Sequence, residues 1–220
     1  MLIFYLGSRF MIGWTFSRKH FIKEDHRWNH WRDYWKSGNG FFNNTIKSES
    51  FNFFCFYHCQ SLTNLLFMSI PLHVASYNTN KDYGWPQYCG LLLWIFGFAF
   101  ENLADVQLAE FKIQNKRASQ ENQVKVMKKG LWRYSRHPNY FGEFLIWISY
   151  SIMTLPYVTK IWELIGLLFL PFVAYYYLVY FTGAWMAEQV SVKKRGIDYV
   201  TYQKETSILF PWFPKTIKSD

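Results

Sequence analysis

Gly130-Leu131-Trp132-Arg133-Tyr134-Ser135-Arg136-His137-Pro138-Asn139-Tyr140-Phe141-Gly142-Glu143 joins a basic segment directly to an apolar run. An apolar run needs no His, Asn, Tyr and Glu at its mouth in order to insert into a bilayer. A carboxyl such as Glu143 at or below a membrane interface is costly, so it has a partner and a task. Pro138 suits a first helical position, where its missing N–H is not needed. The free N–H groups of that helix start, with Arg133, Arg136 and His137 beside them, predict an anion site. The stretch therefore reads as the cytosolic mouth of a membrane helix bundle, with a charged small molecule held there.

The rest of the chain extends this reading. Of 220 residues 22% are aromatic, with 22 Phe, 16 Tyr and 11 Trp. Trp and Tyr collect at membrane–water boundaries because each ring has one apolar and one wet end. The net charge of +9 raises the question of nucleic acid, but its distribution argues against that. Residues 9–36 carry seven Lys or Arg against three acids, residues 105–136 eight against three, and residues 188–220 six against four. The connections on the other side hold only Lys81 with Asp82, and Lys160 with Glu163. This is the positive-inside pattern: it places all three basic segments and both termini in the cytosol and predicts no nucleic-acid partner.

Four apolar segments, 51–77, 85–103, 139–155 and 161–186, each approach the roughly 20 residues a helix needs to cross a bilayer. The expected fold is all-α, a polytopic membrane bundle with about four full transmembrane helices. Pro156 marks a tight return between the third and fourth segments, and Pro171 predicts a kink tolerated inside a bundle. Trp28, Trp31 and Trp35 recur at helical spacing within the basic stretch 18–35, which reads as an interfacial amphipathic helix. Residues 1–16 start apolar but break at Ser8 and Arg9, as the end of a span whose beginning is absent. The domains expected are 1–50 (span end and cytosolic segment), 51–214 (membrane domain) and 215–220 (tail).

Other constellations are weaker. Cys55, Cys59 and Cys89 read as packing residues, not a disulfide framework. His20, His26 and His30 lack a metal-protease motif or partnering cysteines, so no metal is expected. Asn43-Asn44-Thr45 matches a glycan acceptor but lies on the cytosolic side, so it is expected to be unmodified. His58, Gln60, Asn64 and His73 read as interhelical hydrogen-bonding residues. If the second helix continues past Leu103, then Glu101, Asp105, Leu108 and Lys112 share one face. Gly38-Asn39-Gly40 lacks the context of a phosphate loop, so any cofactor sits in the bundle itself. Glu188, Tyr199 and Tyr202, followed by the aromatic stop Phe210-Pro211-Trp212-Phe213-Pro214, are placed to fold back over the cytosolic mouth.

Residues 130–143 resemble the Arg-His-x-Asn-Tyr-x-Gly-Asp/Glu signature of the steroid 5α-reductase and sterol-reductase superfamily, most nearly its 5α-reductase-like branch of unknown function. Asp105-x-Gln107 with Phe111-Lys112 resembles the segment upstream of that signature. Glu188, Tyr199, Tyr202, Thr206 and Pro211 resemble the closing motif. The likeness runs from about Arg9 to Pro214. It implies an endoplasmic-reticulum enzyme that uses NADPH to reduce a carbon–carbon double bond of a sterol-like or other lipid. Asp105, Gln107, Lys112, Trp132, Arg136, His137, Asn139, Tyr199 and Tyr202 would bind the cofactor, with Tyr140 and Glu143 catalytic. Lys112 and Arg136 would take the phosphates, and Asn139 and Glu143 ribose or amide groups. The architecture is shared with isoprenylcysteine carboxyl methyltransferases, which implies S-adenosylmethionine as the rival cofactor. Full-length relatives carry further N-terminal spans, so a truncated, non-catalytic relative is the third alternative.

Overall fold

The computed structural model describes residues 49–76, 83–181 and 184–216. The expected interfacial helix at 18–35 with its His20, His26 and His30, the glycan acceptor at Asn43 and the span end at 1–16 lie outside the described residues. The chain divides into two units, Met1–Ser69 and Ile70–Asp220. Every described regular element is helical, as expected: α1 Glu49–Ser76, α2 Trp85–Arg117, α3 Pro138–Thr154, α4 Ile161–Tyr176, α5 Ala184–Arg195 and α6 Ile197–Glu205. A π turn, Tyr177–Phe181, links α4 toward α5.

In the first unit, α1 turns one of its polar groups inward on itself. The His58 Nδ1 lies 2.8 Å from the Phe54 carbonyl one turn back. That differs from the interhelical bond expected for it.

The second unit is organised by α2 against α3, its most extensive helix contact. Pro86 stands in the first turn of α2, and the Gln87 side chain accepts the Gly84 N–H at 2.9 Å. The buried side of α2 reads Gln87, Gly90, Gly97, Glu101 and Ala104, a three-and-four spacing that forms one stripe. It faces Gly142, Ile146 and Ser149 of α3, all buried. At Gly142 an added Cβ would lie 2.6 Å from the Gly97 carbonyl oxygen and 2.7 Å from the Glu101 nitrogen. Both are backbone atoms that cannot step aside. Small residues let two helices approach this closely where no water drives them together. Few polar bonds cross the seam; the Trp94 indole donates to the Tyr150 hydroxyl at 3.2 Å.

At the far end of the bundle, Glu163 caps α4. Its Oε2 accepts the Thr159 and Lys160 N–H groups at 2.8 and 3.1 Å. Its Oε1 lies 3.4 Å from His73 Nε2, a close polar contact between helices that lacks the geometry of the hydrogen bond expected for this histidine.

The number of spans differs from the expectation. Among the described residues two helices are long and apolar enough to cross a membrane, Trp85–Arg117 and the run Ile161–Arg195. Only 28% and 29% of their most apolar windows is buried, which is unlike the core helix of a water-soluble protein. Leu92, Phe96, Leu168 and Phe172 are exposed on them. The third segment makes a helix of 17 residues, roughly 25 Å at 1.5 Å per residue and short of a 30 Å hydrocarbon core. Pro138 fixes its start and the turn at Leu155–Tyr157 ends it. The first segment is helical throughout α1, Glu49–Ser76, with Phe67–Ser76 a shorter apolar stretch among the described residues. The second helix overruns its predicted end at 103 and continues to Arg117, because its polar residues still alternate at helical spacing.

Candidate functional site

The loop before α3 is built from a glycine outward. Gly130 has φ +58, a left-handed conformation that side chains with a Cβ rarely adopt. A Cβ there would also strike the Gln107 carboxamide. Gln107 Oε1 accepts the Leu131 N–H at 2.9 Å and so anchors the short turn Gly130–Arg133 onto α2. Trp132 follows into the interior, its indole donating to the Ala104 carbonyl at 2.9 Å. Two of the residues expected at a cofactor thus tie the loop to α2.

The tail closes on the same loop. Ser135 and Ser207 form a parallel bridge, with the Arg136 N–H donating to the Ser207 carbonyl at 2.8 Å. The Ser135 hydroxyl donates to the Leu209 carbonyl at 2.8 Å. The Trp212 N–H donates to the Tyr134 carbonyl at 2.9 Å. Tyr202 donates its hydroxyl proton to the Trp132 carbonyl. The fold-back expected from the aromatic stop is present.

Arg136 is the centre of this junction. Its Nε donates to Glu188 Oε1 at 2.6 Å and one Nη to Glu188 Oε2 at 3.3 Å. The other Nη donates to the carbonyls of Gln203 and Thr206 at 2.6 and 2.8 Å. A guanidinium has five N–H donors, so four are engaged within the protein. Arg136 is placed as a clamp on the C-terminal end of α6, where the expectation gave it a phosphate. Tyr199 and Tyr202 likewise lie in a small core with Val126. Burial pushes the Tyr199 hydroxyl up to about 12, with the charge of Glu188 adding to it. Burial raises Tyr202 as well. Both remain phenols, and Tyr202 is thereby a reliable donor.

The other residues expected at the cofactor stand largely at the start of α3. His137 is buried, its Nε2 3.1 Å from Glu188 Oε1. Burial lowers its pKa from the usual histidine value even though the hydrogen bond and charge of Glu188 oppose that. Its ring lies on that of Tyr140, centroids 5.3 Å apart and planes 8° from parallel. Asn139 Oδ1 is buried with no hydrogen-bond partner. A buried acceptor left so costs about 1–3 kcal/mol, and such a group marks where a donor is wanted. Glu143, one turn on, is half-buried, as is Asp105 on α2; Lys112 is exposed.

A cleft of about 580 Å³ opens nearby, lined by Phe111, Gln123, Lys125, Lys128, Lys129 and Asp198 among others. None of the expected site residues lines it. Lys125 is paired with Asp198 at 2.9 Å and Lys128 with Glu205 at 2.7 Å, so the chemistry of the α3 start makes the better site.

Sequence reasoning named Glu188 as part of a motif but not its bonding to Arg136 and His137, nor the roles of Ser135 and Gln203. A carboxylate near the end of a long apolar run, without a basic residue one turn away, is the signal that it pairs elsewhere.

The family described as Protein of unknown function (DUF1295) matches residues 2–206. Over 79 residues the chain is 34% identical to a very-long-chain enoyl-CoA reductase of Dictyostelium discoideum, covering 36% of this chain and 25% of that protein. Over 78 residues it is 35% identical to a Delta(14)-sterol reductase of Saccharomyces cerevisiae, covering 33% and 18%. The matches thus span a quarter or less of these relatives. Both are reductases, consistent with the superfamily that the motifs resemble. No solved structure matches the chain.

Proposed function

Because the chain belongs to the DUF1295 family, and resembles segments of two reductases, we propose that it is a membrane-embedded reductase of the 5α-reductase-like branch. It reduces a carbon–carbon double bond of a steroid-like or other lipid with NADPH. It lies in the endoplasmic reticulum with both termini and the α3 start facing the cytosol. The observation that carries the reading is the unpartnered, buried Asn139 Oδ1, beside the Tyr140–His137 stack. A carboxamide or ribose hydroxyl supplies the donor that this oxygen lacks.

In this reading Asp105, His137, Asn139 and Glu143 hold the polar end of the cofactor, and Lys112 its phosphates. Gln107, Trp132, Arg136, Tyr199 and Tyr202 hold the frame. NADPH, when bound, supplies a hydride. Adding two hydrogens across a double bond also takes one proton, and the Tyr140 hydroxyl is the proton source in reach of the same mouth. Glu143 orients the reacting groups and returns a proton to Tyr140 after turnover. The exposed apolar faces of α2 and α4 lie in lipid, from which the substrate arrives.

The test is a titration of the purified full chain in lipid nanodiscs with NADPH and with S-adenosylmethionine. Saturable NADPH binding is expected, and Asn139→Ala weakens it about tenfold, the worth of one buried hydrogen bond. Saturable binding of S-adenosylmethionine alone would turn the reading into that of a methyltransferase.

A further inference from the structure

We propose that Glu188 is a positioning residue that fixes the tautomer of His137, and thereby what the start of α3 presents to a bound molecule. This rests on the reading above that the α3 start is the ligand site. A single carboxylate gathers four hydrogen bonds. Its Oε1 accepts from Arg136 Nε at 2.6 Å and meets His137 Nε2 at 3.1 Å. Its Oε2 accepts from Gln203 Nε2 at 2.7 Å and from Arg136 at 3.3 Å. An ionised carboxylate has no proton to give, so the nitrogen facing it carries the hydrogen. In a neutral ring the other nitrogen, Nδ1, is then a lone-pair acceptor. Among the described residues nothing donates to it; the other hydrogen bonds of His137 are made by its backbone, the N–H donating to the Ser135 hydroxyl at 3.1 Å and the carbonyl accepting from the Phe141 N–H at 3.2 Å. Burial keeps the ring neutral, consistent with this assignment.

Two consequences follow from the geometry. First, the α3 start carries two acceptors two residues apart, His137 Nδ1 and Asn139 Oδ1, while Arg136 is engaged by Glu188 and two carbonyls. The chemical class that suits this spot is a neutral group rich in N–H or O–H, such as a carboxamide or a sugar diol, and not a phosphate. Second, the His137 ring lies flat on Tyr140, so holding one holds the plane of the other. Glu188 acts through these neighbours and need not touch a ligand itself.

A carboxylate that merely pairs with Arg136 would leave the imidazole indifferent to it, and spectroscopy separates the two roles. The full chain, labelled with 15N-histidine and held in detergent micelles without ligand, is read by long-range proton–nitrogen spectra near pH 7.5. His137 is identified among the six histidines by the signal lost in His137→Gln. A neutral ring with its proton on Nε2 is expected. Glu188→Gln keeps an acceptor oxygen and keeps this tautomer, although it disturbs Arg136 and Gln203. Glu188→Ala removes the acceptor and gives mixed tautomers. NADPH affinity falls about tenfold in Glu188→Ala and less than about threefold in Glu188→Gln.

An imidazolium, a proton on Nδ1, or an unaltered spectrum in Glu188→Ala overturns the proposal. Should Glu188→Ala fail to fold, the spectra of the unaltered protein and of Glu188→Gln still decide. If the tautomer is as assigned but NADPH shifts no His137 signal and does not bind, the cofactor reading falls and the positioning role stands.

Discussion

The α2–α3 seam and the junction between loop and tail belong to one unit and are held by opposite means. Along the seam, Gly90, Gly97 and Gly142 bring backbones together with few polar bonds across the contact. At the junction, Arg136 alone makes four hydrogen bonds to Glu188 and the end of α6. In a membrane, helices gain little from burying apolar surface against one another, and closeness and dispersion hold a seam of this kind. At the wet end charge is affordable, and a carboxylate can be buried because a guanidinium accompanies it.

The comparison breaks most readily at the charge. Arg136→Ala leaves Glu188 buried beside a neutral histidine, and should cost about 3–5 kcal/mol. The loss is read as a drop in the thermal midpoint of the purified protein. Joint replacement by apolar residues, Arg136→Met with Glu188→Leu, should recover most of it. A cost for Arg136→Ala no larger than that of an exposed substitution would show that the junction is not a latch.

Next comes the seam. Gly142→Ala places a methyl group 2.6 Å from the Gly97 carbonyl oxygen, and the helices must part. Overpacking of this kind costs about 1–3 kcal/mol, seen as faster proteolysis between α2 and α3. Equal stability of Gly142→Ala and the unaltered protein would mean that the seam has slack.

The smallest effect concerns pH. Burial, the leading cause, lowers the His137 pKa below its unfolded value near 6.5. The unfolded chain then binds more protons between the two values. The stability that the neutral ring contributes is complete above about pH 6.5 and is lost as the pH falls toward the folded value, by at most about 1.4 kcal/mol per pH unit. A thermal midpoint series from pH 7.5 to 5 should show that slope, reduced in His137→Gln. A slope of opposite sign would mean that Glu188 holds the ring charged.

Much of this was legible in order along the chain. Pro138 announced the start of α3 to within one residue, and Phe210-Pro211-Trp212 announced a tail that returns. Such signals are local: a missing N–H, or an aromatic run with nowhere polar to go. The partners of Arg136 were not legible. A guanidinium suits a phosphate and a carboxylate equally well, and only the fold brings Glu188, 52 residues on, within 2.6 Å. Among the described residues fewer spans are long enough than expected, because apolar composition sets a helix's company and not its length. The turn at Leu155–Tyr157 stops α3 early, while α2 runs on to Arg117 through charged residues.

The pairing of Ser135 with Ser207 has a consequence for biogenesis. Residues 130–137 leave the ribosome well before the segment that completes their hydrogen bonds, and α3 to α6 must be made in between. Until Thr206 to Leu209 emerge, the Ser135 hydroxyl and the Arg136 N–H lack the Leu209 and Ser207 carbonyls, and the Arg136 guanidinium lacks that of Thr206. A nascent chain paused in that interval would carry its helices and lack a finished mouth, so this later segment decides when the loop is locked.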